Sequence, residues 1–163
     1  MALNYSIALA PGSPECEFNA AENRFEQTWT YIVTQTGPTM PEISHWELEL
    51  CENHNVLRVS KNGTEVPIEQ AANLDIEVSA PGLNDCLLNL AVRRIKWDDL
   101  SNAEVAPDAL GEFNFVLEGC YQTGLVDAAI KAGTEPCDIR QVPGPICVLQ
   151  PPNRGIKLSQ FEE

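Results

Sequence analysis

Hydrophobic and polar residues alternate along most of this chain with a period of two, the spacing of strands that bury one face. In RFEQTWTYIVTQT, residues 24–36, one face carries Phe25, Gln27, Trp29, Tyr31 and Val33, and the segment is rich in Thr, aromatic and β-branched residues. It stops at Gly37-Pro38. HWELELC places Trp46, Leu48 and Leu50 on one face and His45, Glu47, Glu49 and Cys51 on the other. VLRVSKNGTEVPIE reads as two short strands about Asn62-Gly63, a dipeptide that supplies both positive φ angles of a type I′ hairpin turn.

DIEVSA, ending at Pro81-Gly82, and GEFNFVLEG, with Phe113, Phe115 and Leu117 in alternation, add further strands. LLNLAVRRIKWDD fits a short buried helix or a strand, and strand is the reading adopted, with RRIKWDD as strand and turn. Helical periodicity is scarce: DDLSNAEVAPDAL holds a turn or two, broken at Pro107. Many short strands separated by turn signals predict an all-β fold, an antiparallel β-sandwich or jelly roll.

The ends have a different texture. Residues 1–24 open with an apolar strand in which Leu3, Tyr5, Ile7 and Leu9 alternate, then run through PGSPEC, and residues 148–163 carry a diproline break followed by the alternating IKLSQF. This divides the chain into an N-terminal arm (1–24), a sandwich core (25–147) and a C-terminal arm (148–163). Each arm either covers an edge of its own sheet or pairs with a neighbour by β-augmentation, and in the second case Leu3, Tyr5, Ile7 and Leu9 are the donated residues.

With 10 Lys plus Arg against 24 Asp plus Glu, the net charge is −14, which repels phosphate backbones and anionic lipid and speaks against a nucleic-acid or membrane-surface role. There is no apolar run of transmembrane length, so no membrane insertion is expected, and the N-terminus lacks the charged and apolar regions of a secretory signal. Hydrophobic residues make up 44% of the chain, enough for a packed core.

Six cysteines, Cys16, Cys51, Cys86, Cys120, Cys137 and Cys147, with no C-x-x-C pair, point to disulfides. Only the short Cys137–Cys147 spacing favours a particular pairing, and connectivity stays open. A disulfide-style chain without an export signal is a tension to be resolved.

Catalytic material is thin. The two histidines are His45, on the non-core face of its strand, and His54, whose Cys51-x-x-His54 spacing is half a zinc pattern without a second half. Asp75 with Glu77, and Asp98-Asp99, are acidic pairs without a calcium-loop pattern. No phosphate-binding glycine loop, nucleophile elbow or metalloprotease helix is present, so no catalytic residue, metal or other cofactor is expected and the chain is not read as an enzyme. Trp29, Trp46 and Trp97 would serve either as core residues or as sugar-stacking platforms.

HWELELC, RRIKWDD, FNFVLEG and VDAAIKAGTEPCDIRQVPGPIC, in that order, resemble a poorly characterised family of bacterial all-β surface proteins, through segments 44–51, 95–98, 113–119 and 130–147. Arg93-Arg94 stand where that pattern has a glycine turn. The architecture is also similar to that of endospore appendage subunits, small jelly-roll proteins made without a signal peptide and locked together through cysteines in N-terminal connectors. That similarity resolves the tension above and implies a bacterial, self-assembling, pilus-like filament at the cell or spore surface, a homopolymer whose partner is itself. It further implies an intermolecular disulfide from Cys16, for which Cys120 is the acceptor chosen, with Cys51, Cys86, Cys137 and Cys147 left for internal bonds. The rival expectation is an extracellular carbohydrate-binding module.

Overall fold

The computed structural model describes residues 3–38 and 41–151. Among these residues, eleven strands form two antiparallel sheets. The first contains β1 (Tyr5–Leu9), β2 (Glu15–Asn19), β3 (Arg24–Gln35), β5 (Val56–Lys61), β6 (Thr64–Pro67) and β9 (Glu112–Glu118), in the order β1-β3-β9-β5-β6 with β2 also on β3. The second contains β4 (Ile43–Leu50), β7 (Ile76–Ser79), β8 (Arg93–Trp97), β10 (Tyr121–Ala132) and β11 (Asp138–Leu149), ordered β11-β10-β4-β8-β7. The predicted all-β, sandwich-like class is what the chain adopts.

The period-two faces become the core between the sheets. Trp29 and Tyr31 of β3 and Phe113 and Phe115 of β9 meet Trp46 of β4 and Trp97 of β8, all wholly buried. Trp46 and Trp97 are cross-strand partners and stack with centroids 4.5 Å apart and planes 9° apart, while Phe113 meets both edge-on at 5.8 Å. Such pairs add about 0.5–1.5 kcal/mol beyond the area they bury. The three tryptophans are therefore core residues, and none offers a stacking face to a sugar.

One polar residue belongs to this inner face. Gln27 is fully buried, accepts from Trp29 Nε1 at 2.9 Å and from the Tyr121 amide at 2.9 Å, and donates to the Tyr121 carbonyl at 3.0 Å. It thereby ties β3 to the start of β10 across the sandwich.

The Asn62-Gly63 hairpin forms as expected, with φ of 50° and 90° joining β5 to β6. Leu87–Leu90 departs from expectation: residues 86–90 are turns and only Arg93–Trp97 of that stretch is extended. A 3-10 segment over Ile68–Leu74 was not foreseen, and the turn expected near Pro107 is the short 3-10 segment Asn102–Glu104. Gly111 has φ of 55°, and a Cβ there would lie 2.4 Å from the Val33 carbonyl oxygen, so this close approach of β9 to β3 requires glycine.

The N-terminal segment is not a free arm. β1 pairs with the C-terminal half of β3 and β2 with its N-terminal half, Leu3, Tyr5 and Ile7 are buried, and Leu9 packs against the core. The start of this segment is also held from the other sheet. Asp138 accepts from the Leu3 amide at 2.8 Å, Arg140 donates to the Tyr5 carbonyl at 2.7 Å, and Arg140 and Asp138 pair with each other. Leu3, Tyr5, Ile7 and Leu9 thus complete their own sheet, which corrects their reading as donated residues. Val148 and Leu149 close β11, and the IKLSQF segment lies outside the described residues.

The disulfides correct a second expectation. Cys16 is bonded to Cys120 of the same chain, so neither sulfur is free for a neighbouring subunit. The others are Cys51–Cys147 and Cys86–Cys137, not the short-range Cys137–Cys147 pair, because Cys137 immediately precedes β11 and Cys147 lies near its far end, so the extended strand holds the two apart.

Candidate functional site

Strand alternation that sends Trp46, Leu48 and Leu50 inward sends His45, Glu47 and Glu49 to the outer face of the second sheet. Register sets charged neighbours beside them there: Lys96 opposite Glu47 and Arg94 opposite Glu49 on β8, then Glu77 opposite Lys96 and Ser79 opposite Arg94 on β7. An open sheet face would leave these groups in water. Here the segment 80–92 folds back over them, and Glu47 is 0% exposed, Arg94 2% and His45 5%.

Glu47 anchors the cover. Its Oε2 accepts from the Cys86 amide at 2.8 Å and lies 2.6 Å from His45 Nε2, while Oε1 accepts from the Leu87 amide at 3.3 Å. A buried carboxylate is tolerable only when its oxygens are so engaged. Asp85 is the second anchor, bonded to Arg94 at 2.8 Å, to Lys96 at 3.0 Å and to the Gly82 amide at 2.6 Å. Burial pushes the Asp85 carboxyl up, but the Gly82 amide and the two cations outweigh it and hold it at about 2. Arg94 also reaches Glu77 at 2.9 Å and Ser79 Oγ at 3.0 Å, and the Cys86–Cys137 bond ties the cover to the β10–β11 turn.

Chemically this is a cluster of fixed charges with a histidine at its edge. Cys86 Sγ lies 3.6 Å from His45 Nε2 and is bonded to Cys137, so it is no nucleophile in this state. The other histidine is structural too. His54 is 1% exposed, its Nδ1 accepts from the Cys51 amide at 2.9 Å, and its Nε2 donates to the Ile146 carbonyl at 3.0 Å. Burial pushes its pKa down, and with both nitrogens used and Cys51 in a disulfide the Cys51-x-x-His54 spacing is no zinc half-site. Asp98 and Glu77 are paired with Lys96 and Arg94.

A second polar feature lies on the outer face of the first sheet, a groove of about 370 Å³ lined by Glu17, Phe18, Asn19, Glu26, Thr28 and Arg58. Glu26 at its base is bonded to Arg58 at 2.7 Å and Arg24 at 2.9 Å. The Arg58 bond chiefly draws its carboxyl down to about 2 against the effect of burial, with Arg24 and Asn19 adding to it.

The sequence singled out His45 and the cysteines but not Glu47, Asp85 or Arg94. Alternation put Glu47 and Arg94 on a polar face, and their burial depends on the cover from residues 80–92, which carries no periodic signal. The available clue was Arg93-Arg94 in an otherwise acidic chain. Comparison with family models found no match, and comparison with curated proteins found none either.

Proposed function

We propose that this protein is a non-catalytic structural module of an extracellular assembly, a subunit of a fibre, appendage or cell- or spore-surface layer. The observation that carries this reading is the set of three disulfides in an all-β sandwich, closing spans of 104, 96 and 51 residues. Such cross-links persist in oxidising surroundings outside the cytosol. They fasten the N-terminal strands, both ends of the second sheet and the cover over its charged face, which suits a chain that must endure rather than move. Among the described residues no helix is long and apolar enough to cross a membrane. The ordered motifs that resemble a bacterial surface-protein family point the same way.

Assembly in this reading uses surface contacts, since Cys16 and β1 are engaged within the chain. The outer side of the β10–β11 hairpin exposes Leu125 (65%) and Ile139 (45%), apolar area that a subunit contact would cover. Electron microscopy of the purified chain, with reducing and non-reducing gels in parallel, tests it. Filaments or sheets that run as single chains on a non-reducing denaturing gel, and that are lost in L125E/I139E, support the reading. A chain that stays monomeric at every concentration overturns it, and specific glycan binding by that monomer would favour the carbohydrate-binding alternative.

A further inference from the structure

His45, Glu47 and Cys86 bring one ligand atom each within 4.8 Å of one another, and among the described residues no other group of three or more His, Cys, Asp or Glu does so. Cys137 adds a second sulfur beside Cys86, with Cα atoms 5.8 Å apart. One imidazole, one carboxylate and two sulfurs form a donor set that suits Zn²⁺ once the sulfurs are thiolates. We propose that, when the Cys86–Cys137 bond is reduced, His45 Nε2, Glu47 Oε2, Cys86 Sγ and Cys137 Sγ bind one zinc ion, and that zinc and disulfide are alternative locks on the same cover.

One pair of donors already stands at tetrahedral spacing, and the two sulfurs part when their bond is reduced. Zinc bond lengths of about 2.0–2.3 Å place neighbouring ligand atoms about 3.3–3.8 Å apart. Cys86 Sγ and His45 Nε2 stand at 3.6 Å, while Nε2 and Glu47 Oε2, now at 2.6 Å, need to open by about an ångström to admit the ion. The amides of Cys86 and Leu87 already orient the carboxylate, the service that outer-shell partners give to metal ligands. His45 and Glu47 are 5% and 0% exposed, so they are prearranged before any metal arrives. The other cysteine–histidine neighbourhood differs, because both His54 nitrogens are bonded to backbone.

The chemistry balances with a dithiol as reductant. It transfers two electrons to the disulfide, yields two cysteine thiols and becomes a cyclic disulfide itself. Zinc then displaces one proton from each thiol to solvent, and the imidazole passes its Nε2 proton through solvent to Nδ1, which frees Nε2 for the ion with no further net release. A small-molecule disulfide reverses the exchange: it takes two electrons from the thiolates, re-forms the bond and expels the ion. A chain synthesised under reducing conditions would thus have its cover fastened by metal until oxidation replaces it.

The test is anaerobic titration of the full chain with Co²⁺ as the spectroscopic probe and Zn²⁺ as competitor, before and after reduction. The reduced chain is expected to take up one Co²⁺ with a sulfur-to-cobalt charge-transfer band and tetrahedral d–d bands, both erased by one equivalent of Zn²⁺, whereas the oxidised chain shows neither. A variant with Cys16, Cys51, Cys120 and Cys147 all changed to Ser should retain the signal. H45A and E47Q should each weaken binding by at least about tenfold. If reduction unfolds the chain, recovery of the β-sheet circular dichroism on adding Zn²⁺ supports the site. No charge-transfer band from the reduced chain, or a band unchanged in H45A/E47Q, overturns it.

Discussion

Cys16 of β2 and Cys120, at the turn from β9 into β10, are joined within one chain with Cα atoms 6.0 Å apart. The bond fastens the N-terminal strands to the connection between the two sheets, where Gln27 already bridges to Tyr121. The non-reducing gel should therefore show a single chain that migrates faster than its reduced form, with no inter-chain ladder, and C16S/C120S should slow that migration part of the way toward the reduced form.

Loop-closure entropy gives the three disulfides nearly equal weight, since doubling a loop from 51 to about 100 residues adds only about 0.6 kcal/mol. Replacing any one pair by Ser is expected to cost about 2–5 kcal/mol, read from urea unfolding midpoints. Local consequences should differ. Loss of Cys86–Cys137 loosens the cover over Glu47 and Arg94, so C86S/C137S should raise amide exchange in residues 80–92 beyond its effect on β9, while C16S/C120S should leave that segment alone. Equal exchange profiles for the two variants would count against the cover as a separate unit.

The stacked pair Trp46 and Trp97 supplies an internal control. Trp97 Nε1 donates to the Ser60 carbonyl at 3.0 Å, whereas Trp46 Nε1 is buried and has no acceptor among the described residues. Both Trp→Phe changes remove similar ring area, but W97F also breaks a hydrogen bond and W46F removes an unsatisfied donor. W97F should therefore be the more destabilising by about 1–2 kcal/mol in chemical denaturation. Equal costs would mean that ring packing alone governs the pair.

Much of this interior was legible in the sequence. Period-two alternation identified the inward residues of β3, β4 and β9, and Asn62-Gly63 identified the one hairpin whose turn chemistry is unambiguous. What was not legible depends on sequence-distant closure. Glu47 reads as a solvent residue because its own strand is all that alternation reports, and its burial is decided by residues 39 and 40 positions later. The Cys16–Cys120 pair was singled out but placed between chains, because spacing along the chain cannot distinguish a bond to the same sheet from a bond to a neighbour. The N-terminal strand was correctly extended, yet which edge it would cover was set by β3, long enough at 12 residues to hold β1 and β2 end to end.

Acid should weaken the sandwich through Glu26 and Asp85. Both carboxyls titrate at about 2 in the folded chain, below ordinary values of 4.5 and 3.8. A depressed folded pKa contributes stability that is complete above the unfolded pKa and is lost as pH falls through the folded one. Stability should therefore decline from about pH 5 to about pH 2, by on the order of 2 kcal/mol for each group. E26Q should remove part of that slope while lowering stability at neutral pH, and unfolding midpoints at a series of pH values measure both. A slope unchanged in E26Q would exclude the Glu26–Arg58–Arg24 cluster as a source.

The cover over the second sheet makes the sharpest demand on a single side chain. Glu47 satisfies two amides of the cover and His45 at once, so E47A leaves one buried and one part-buried N–H donor without this acceptor and opens space beneath Leu87, which is itself 0% exposed. Each unsatisfied donor costs about 1–3 kcal/mol, giving a total of roughly 3 kcal/mol or more. E47Q keeps the shape and one carbonyl acceptor, and should cost less than E47A. Because the Cys86–Cys137 bond still tethers the segment, the loss should show as local opening: amides of Cys86 and Leu87 should lose more hydrogen-exchange protection than those of Phe113 and Phe115 in β9. Adding C86S/C137S to E47A should then cost more than the two changes separately, since each lock supports the cover when the other is absent. Strict additivity in that double-mutant cycle would show that carboxylate and disulfide hold independent pieces of structure.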